Sequence, residues 1–234
     1  MRSRALFVGV AVTLTILSGR AAEGSTLWYN GDLDAVDGIA NEVNGIRPGT
    51  TLTYDNFLVD GSGWLIDSLW SNNQMEDIAA TSAYWEIRSG VTAGNGGTLV
   101  ASGTSSATQT ATGNVLFGRL EYQIRVDGLN LFLNPGEYWL GVAPIANGTG
   151  KSFVSTTSNL NGIGTFLDSD AFFNSAFFAA DFGSIESLYG EKLDFSMGIG
   201  GSASSPPVPE PATLTLLGLG LAGMAGRRWR QRKA

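Results

Sequence analysis

Asp32, Asp34 and Asp37 fall within six residues, with Glu42 shortly after, and form the densest set of side chains able to hold a cation. Calcium is the ion such a segment would favour, because it prefers carboxylate and carbonyl oxygens. Asp32-Leu33-Asp34-Ala35-Val36-Asp37-Gly38 has half the pattern of a calcium loop. An EF-hand places oxygen ligands at positions 1, 3 and 5, Gly at 6 and Glu at 12. Counted from Asp32, those last three positions hold Val36, Asp37 and Val43, so the register fails. Two readings remain: a less regular calcium site on Asp32, Asp34 and Asp37, or an Asx-turn loop without a metal.

Catalytic chemistry has few residue types to work with. The chain has no Cys and no His. That removes disulfides, thiol nucleophiles, histidine bases, thiolate or imidazole zinc sites and serine–histidine triads. Paired carboxylates remain, and a glycosidase needs two of them about 5 to 9.5 Å apart. Glu86, Glu121 and Glu137 lie in strand-like segments that could face a cleft, yet no motif selects a pair. No phosphate loop or nucleotide fingerprint is present. The expectation is a non-enzymatic protein with no catalytic residue. For stacking on sugar rings the pool is Trp28, Tyr29, Trp64, Trp70, Trp85 and Trp139; most alternate with polar residues, a pattern that favours core packing.

Charge narrows the partners. From Glu23 to Glu210 lie six basic residues and all 21 acidic ones, a net charge of −15. Such a body is repelled by nucleic acid and by anionic lipid. The other eight basic residues sit in the first 20 positions or the last eight.

Both ends read as addresses. Met1-Arg2-Ser3-Arg4 precedes an apolar stretch from Ala5 to Leu17, followed by Ser18-Gly19-Arg20-Ala21-Ala22. This is the pattern of a secretory signal cleaved between Ala21 and Ala22. At the other end, a Gly/Ser stretch from Gly200 to Ser205 reads as a flexible linker. Then come Pro206-Pro207-Val208-Pro209-Glu210-Pro211, an apolar run from Ala212 to Gly226, and the cluster Arg227, Arg228, Arg230, Arg232 and Lys233. As a helix the run spans roughly 22 Å against a hydrocarbon core of about 30 Å. The basic cluster would hold its end on the cytoplasmic side.

Pro209-Glu210-Pro211, the short Leu/Gly-rich span and the terminal basic cluster together resemble the PEP-CTERM sorting signal of Gram-negative bacteria. Segments of this type are also classed as the C-terminal domain of ice-binding proteins. The resemblance implies that exosortase, an integral-membrane cysteine protease, recognises Pro209, Glu210 and Pro211 and removes the tail. It further implies a membrane-anchored stage, followed by release or transfer to the cell surface, extracellular matrix or biofilm. A plain anchor that is never cut is the alternative. The resemblance covers about the last 27 residues and leaves the body's function open.

The body between them is strand-like. In Ala83–Arg88, Trp85 and Ile87 face one way while Glu86 and Arg88 face the other; Tyr122, Ile124 and Val126 share a face in Glu121–Val126. Further strands are expected at Thr51–Val59, Trp64–Trp70, Thr98–Ser102, Glu137–Ala143, Lys151–Ser155 and Leu193–Ile199, with a hairpin loop at Gly94-Asn95-Gly96-Gly97. Short helices are expected at Ala35–Asn41 and Ser169–Ala179, although the second could equally be a buried strand or an aromatic loop. The fold class is therefore all-β: an antiparallel, jelly-roll-like β-sandwich with an N-terminal signal helix and one short C-terminal transmembrane helix. The blocks Ala83–Gly90, Gly94–Thr98 and Gly136–Leu140 are also similar to body domains found with this tail, which implies a sandwich but no activity. The expected organisation is signal 1–22, sandwich 23–200, linker 201–207 and sorting signal 208–234. Polysaccharide is the expected partner of the body. The alternatives are a carbohydrate-active enzyme using paired carboxylates and an ice-binding or adhesion protein, for which Thr104, Thr108, Thr110 and Thr112 are the nearest approach to a threonine array.

Overall fold

In the computed structural model, residues 24–167 and 171–204 are described. They form fifteen strands and one short helix. The first six strands are β1 (Ser25–Tyr29), β2 (Leu33–Ala40), β3 (Glu42–Val43), β4 (Thr50–Val59), β5 (Trp64–Glu76) and β6 (Ser82–Ser89). Then come β7 (Thr98–Leu116), β8 (Arg119–Val126), β9 (Leu131–Leu133), β10 (Gly136–Pro144), β11 (Lys151–Thr157), β12 (Phe172–Ser175) and β13 (Ala180–Ser184). Helix α1 (Ile185–Tyr189), β14 (Asp194–Phe195) and β15 (Met197–Ala203) complete the order. Among the described residues no helix is long and apolar enough to cross a membrane. The expected N-terminal signal helix and C-terminal transmembrane helix lie outside the described residues.

Strand β5 organises one layer. Along one edge it pairs with β15 and then β11; along the other it pairs with β9 and then β8. Outside β15 lies β1. A second layer runs β6, β10, β4, β12 and β13. Strand β7 belongs to both layers: Thr98 to Ser106 pair with β6, and Ala107 to Leu116 pair with β8. Every pairing between these strands is antiparallel, consistent with a β-sandwich.

The core forms where the apolar faces meet. Phe57 and Val59 of β4, Leu140 and Val142 of β10, and Trp85 and Ile87 of β6 pack in one cluster with Ile66 and Leu69 of β5, Ile124 and Val126 of β8, and Met197 and Ile199 of β15. Each such side chain taken fully out of water contributes about 1.5–3 kcal/mol before entropy is counted. A smaller cluster on the far face of β4 joins Leu52 and Tyr54 to Trp139, Phe172 and Phe182. Strand β4 is thus buried on both faces, and it reads as a nearly unbroken run of buried side chains.

Two expectations are corrected, and the alternative left open at Ser169–Ala179 is decided toward strand over its described part. Ala35–Asn41 is not helical: β2 covers most of it and pairs with β11. Ala35 sits at φ +62°, a left-handed conformation that interrupts any helix. Phe172–Ser175 is a strand paired on both edges, so the described part of Ser169–Ala179 is strand and turn. The Gly/Ser stretch beginning at Gly200 is not linker at its start, because β15 continues through Gly201, Ser202 and Ala203, opposite Ile66, Leu65 and Trp64. Its glycines answer to packing. A Cβ on Gly198 would enter the Trp70 ring, and Gly201 holds φ +156° with the Leu65 carbonyl where a Cβ would stand. Conversely, β7 is far longer than Thr98–Ser102, at 19 residues.

Candidate functional site

The solvent-side face of the β5 layer is polar yet buried. Trp70, Asn72 and Gln74 point away from the core but are only 4%, 4% and 1% exposed. Across β5 and β8 they stand in rows: Trp70 beside Arg125, Asn72 beside Gln123, and Gln74 beside Glu121. Strand β7 adds Thr108 and Thr110 to the first two rows. Two irregularities build walls on this floor. The register of β1 shifts between Thr26 and Trp28, and that of β7 shifts between Ala111 and Val115. Such bulges re-aim side chains at strand ends. The result is a cavity of about 430 Å³ lined by Tyr29 and Asp32, by Trp70 and Asn72, by Glu121 and Gln123, and by Thr112 and Asn114, with Thr26 and Ile163 at its rim. Its volume falls within the range of small-ligand sites.

Hydrogen bonds fix the lining. Thr112 Oγ1 and Asn114 Nδ2 donate to Glu121 Oε2 at 2.7 and 2.8 Å, and Ser155 Oγ donates to Oε1. Tyr29 donates its phenolic proton to Asp32 Oδ1 at 2.7 Å, and Asn161 Nδ2 donates to Asp32 Oδ2 at 2.7 Å. Asn72 Nδ2 reaches both Ser196 Oγ and the Tyr29 hydroxyl, at 2.8 and 3.1 Å. Burial, reinforced by the bond and charge of Asp32, pushes the Tyr29 hydroxyl well above its ordinary value, so it stays a donor. Two buried polar atoms of lining residues, Asn72 Oδ1 and Trp70 Nε1, have no hydrogen-bond partner among the described residues. Arg125 lies over the Trp70 ring at 4.8 Å and bonds to Asp127 and Ser68.

The structure gathers only some of the residues singled out in the sequence. Glu121, Tyr29, Trp70, Thr112 and Asp32 meet in the cleft. Glu86 does not: it bonds Tyr54, Tyr84 and Arg88 on the other layer. Burial alone would raise its carboxyl, but hydrogen bonds from Arg88, Tyr84 and Tyr54 outweigh burial and hold it below its ordinary value. Glu137 is exposed and accepts a bond from Asn56. Trp28, Trp64, Trp85 and Trp139 are 0–7% exposed and belong to the two apolar clusters or their walls. Thr104, Thr108 and Thr110 line the outward side of β7 in a single file.

The three aspartates are not brought together as a metal centre. Asp32 faces the cleft. Asp34 accepts from the Val36 amide at 2.9 Å and from Thr156 Oγ1 at 2.7 Å, which makes it an Asx-type turn. Asp37 accepts from the Gly38 amide. Among the described residues no group of three or more acidic side chains is placed to hold a metal ion. Calcium is therefore expected to leave the thermal unfolding midpoint of the protein unchanged; a midpoint that climbs with calcium concentration would mean these loops do close on the ion.

Asn72, Gln123 and Asn114 were not legible as site residues, because amides carry no motif. The one available signal was the polar side of Glu121–Val126, on which Gln123 alternates with Glu121 and Arg125. Pro209, Glu210, Pro211, the basic cluster from Arg227 to Lys233, and the Ala21–Ala22 bond lie outside the described residues.

Compared with known proteins, the chain matches the PEP-CTERM protein-sorting motif over residues 207–232. That match supports an exported protein handled by an exosortase-type system and implies a cell-surface or extracellular destination. No curated protein and no solved structure is similar enough to the chain to match it.

Proposed function

We propose that this chain is an exported, non-enzymatic surface or matrix protein whose body, a sandwich of jelly-roll type, binds extracellular polysaccharide through the cleft between β1, β5, β8 and the end of β7. The observation that carries the export half is the sorting motif at residues 207–232. On this reading the short apolar run and the Arg227–Lys233 cluster hold the chain in the membrane until exosortase cuts near Pro209–Pro211. The binding half is supported by the cleft's lining, which offers hydroxyls, amides and carboxylates beside an indole, the mixture that suits a polyhydroxylated ligand. Binding is favoured over turnover because both oxygens of Glu121 already accept from side chains and the Tyr29 proton is held.

The test is the intact mass of the protein from its native host, taken from membrane, surface and medium fractions. The expected species at the surface or in the medium has lost residues 1–21 and ends within Pro209–Pro211. A membrane species that keeps Arg227 to Ala234 would make the tail a permanent anchor and end the exosortase reading. The recovered protein should also bind the host's own exopolysaccharide; failure to do so would leave a purely structural matrix role.

A further inference from the structure

The described part of the protein buries three glutamates, Glu42, Glu86 and Glu121. Two of them carry a guanidinium partner: Arg47 pairs with Glu42 at 2.7 Å and Arg88 pairs with Glu86. This is the ordinary arrangement, since a buried charge without a counter-ion is costly. Glu121, 1% exposed, is different. Its donors are two hydroxyls and an amide, all neutral, and it enters no ion pair among the described residues. Asp32, on the same cleft, is held by a phenol and an amide and likewise enters no ion pair among them. Two cations flank Glu121 on this side of β8, and both are engaged elsewhere: Arg119 is turned to Glu76 and the Phe153 ring, and Arg125 to Asp127, Ser68 and the Trp70 ring.

The cavity is therefore rich in acceptors and short of positive charge. A carboxylate can accept about four hydrogen bonds. The Glu121 side chain takes three from its neighbours and Asp32 takes two, so both have capacity left. Asn72 Oδ1, on the same floor, is a third acceptor with no partner among the described residues. A neutral hydroxyl would supply a donor but no counter-charge, and a uronic acid would add a third negative group. An ammonium group supplies three donors and the missing charge together. Resting on the polysaccharide reading above, we infer that the ligand of this cleft is an amino sugar with a free amine, as found in a deacetylated amino-sugar polysaccharide. The net charge of −14 over residues 23–207, with 20 acidic and six basic residues, would draw such a polycation toward the body at long range.

The test is equilibrium binding by the processed protein recovered from the host, read by tryptophan fluorescence, since Trp70 lines the cleft. Four ligands of matched length or charge are compared at mildly acidic pH: a glucosamine oligomer, its N-acetylated counterpart, a neutral glucose oligomer and a linear polyamine. The glucosamine oligomer is expected to bind at least about tenfold more tightly than the acetylated one, with the advantage shrinking as salt rises. Glu121→Gln and Asp32→Asn should each remove most of that advantage while leaving whatever affinity the acetylated oligomer has. Two variants are used so that a fold defect in one, seen as a lowered unfolding midpoint, does not decide the outcome. Equal binding of acetylated or glucose oligomers overturns the amino-sugar inference and leaves polysaccharide binding standing. A polyamine that binds as tightly as the glucosamine oligomer overturns the sugar component. Binding of none of the four overturns the inference, and loss of binding to the host's exopolysaccharide as well overturns the reading beneath it.

Discussion

Arg47→Met should destabilise the protein by about 3–5 kcal/mol, because it leaves Glu42 charged and unpaired in the interior. Glu42 is 0% exposed and Arg47 8%. Their contact is two-pronged, with Arg47 Nε on Oε1 at 2.9 Å and Nη2 on Oε2 at 2.7 Å. The same guanidinium donates to the Ser152 carbonyl and lies 4.8 Å from the Phe153 ring centre. Glu42 in turn accepts the Ser152 amide. The pair thus ties the loop after β3 to the start of β11. Pairing Arg47→Met with Glu42→Leu should recover part of the loss. Recovery should stop about 1–3 kcal/mol short of the native protein, because the Ser152 amide then has lost its buried acceptor. Denaturant unfolding of the native protein, both single variants and the double variant measures this. A loss below about 1 kcal/mol for Arg47→Met would place the pair among ordinary exposed ion pairs.

The second large effect is on pH dependence. Asp55 is fully buried in β4 and accepts from Asn30 Nδ2 and from the backbone amides of Asn56 and Phe195. Burial, and then the neighbouring charge of Asp194, push its carboxyl up to about 8 from an ordinary 3.8, against the lowering pull of those three bonds. Between about pH 4 and 8 the folded protein therefore keeps a proton that the unfolded chain releases. The stability this provides is complete below the unfolded value and is lost as pH rises through the folded one. Unfolding free energy should fall across that window with a slope approaching one proton per molecule. Asp194→Asn removes the like charge, brings Asp55 downward and flattens the slope. Unfolding curves at pH 4, 6 and 8 for both proteins decide the matter; identical slopes would show that Asp194 does not govern the titration.

The strands that could be read from the sequence are those with two chemically different faces. Trp85 and Ile87 against Glu86 and Arg88, and Ile124 and Val126 against Gln123 and Arg125, sort as expected because one face meets the core and the other does not. Strand β7 hid most of its length for the opposite reason. From Gly103 to Gly113 it alternates small and hydroxylated residues except at Gln109, and its inner face sets Gly103, Ser105 and Ala107 against the Trp85 ring and its neighbours and Gln109 on the Ala80 amide. No apolar period marks such a strand. Strand β2 was mistaken because Ala35–Asn41 offers residues compatible with a helix, and only pairing with β11 decides between the two. The cleft was half legible. Its carboxylates and aromatics were on view as residue types, but its amides come from three strands that meet through pairing register, which a linear reading does not supply. The direction of Glu42 was hidden too: beside three aspartates it read as a ligand oxygen, whereas Arg47 five positions on claims it.

The order β1–β15–β5 has a mechanical side. Strand β15 carries the chain directly toward the sorting tail, and it is hydrogen-bonded on both edges, to β1 and to β5, from Gly198 to Gly201. The Ser204 amide adds a further bond to the Gly63 carbonyl where the chain departs. Tension applied from the tail would act along the axis of β15, so its bonds to two antiparallel neighbours would be strained together, in shear, instead of opening one after another like a zip. Forced unfolding is governed by the rate at which the native structure yields, so a body hung from this strand should outlast its equilibrium stability under a steady pull.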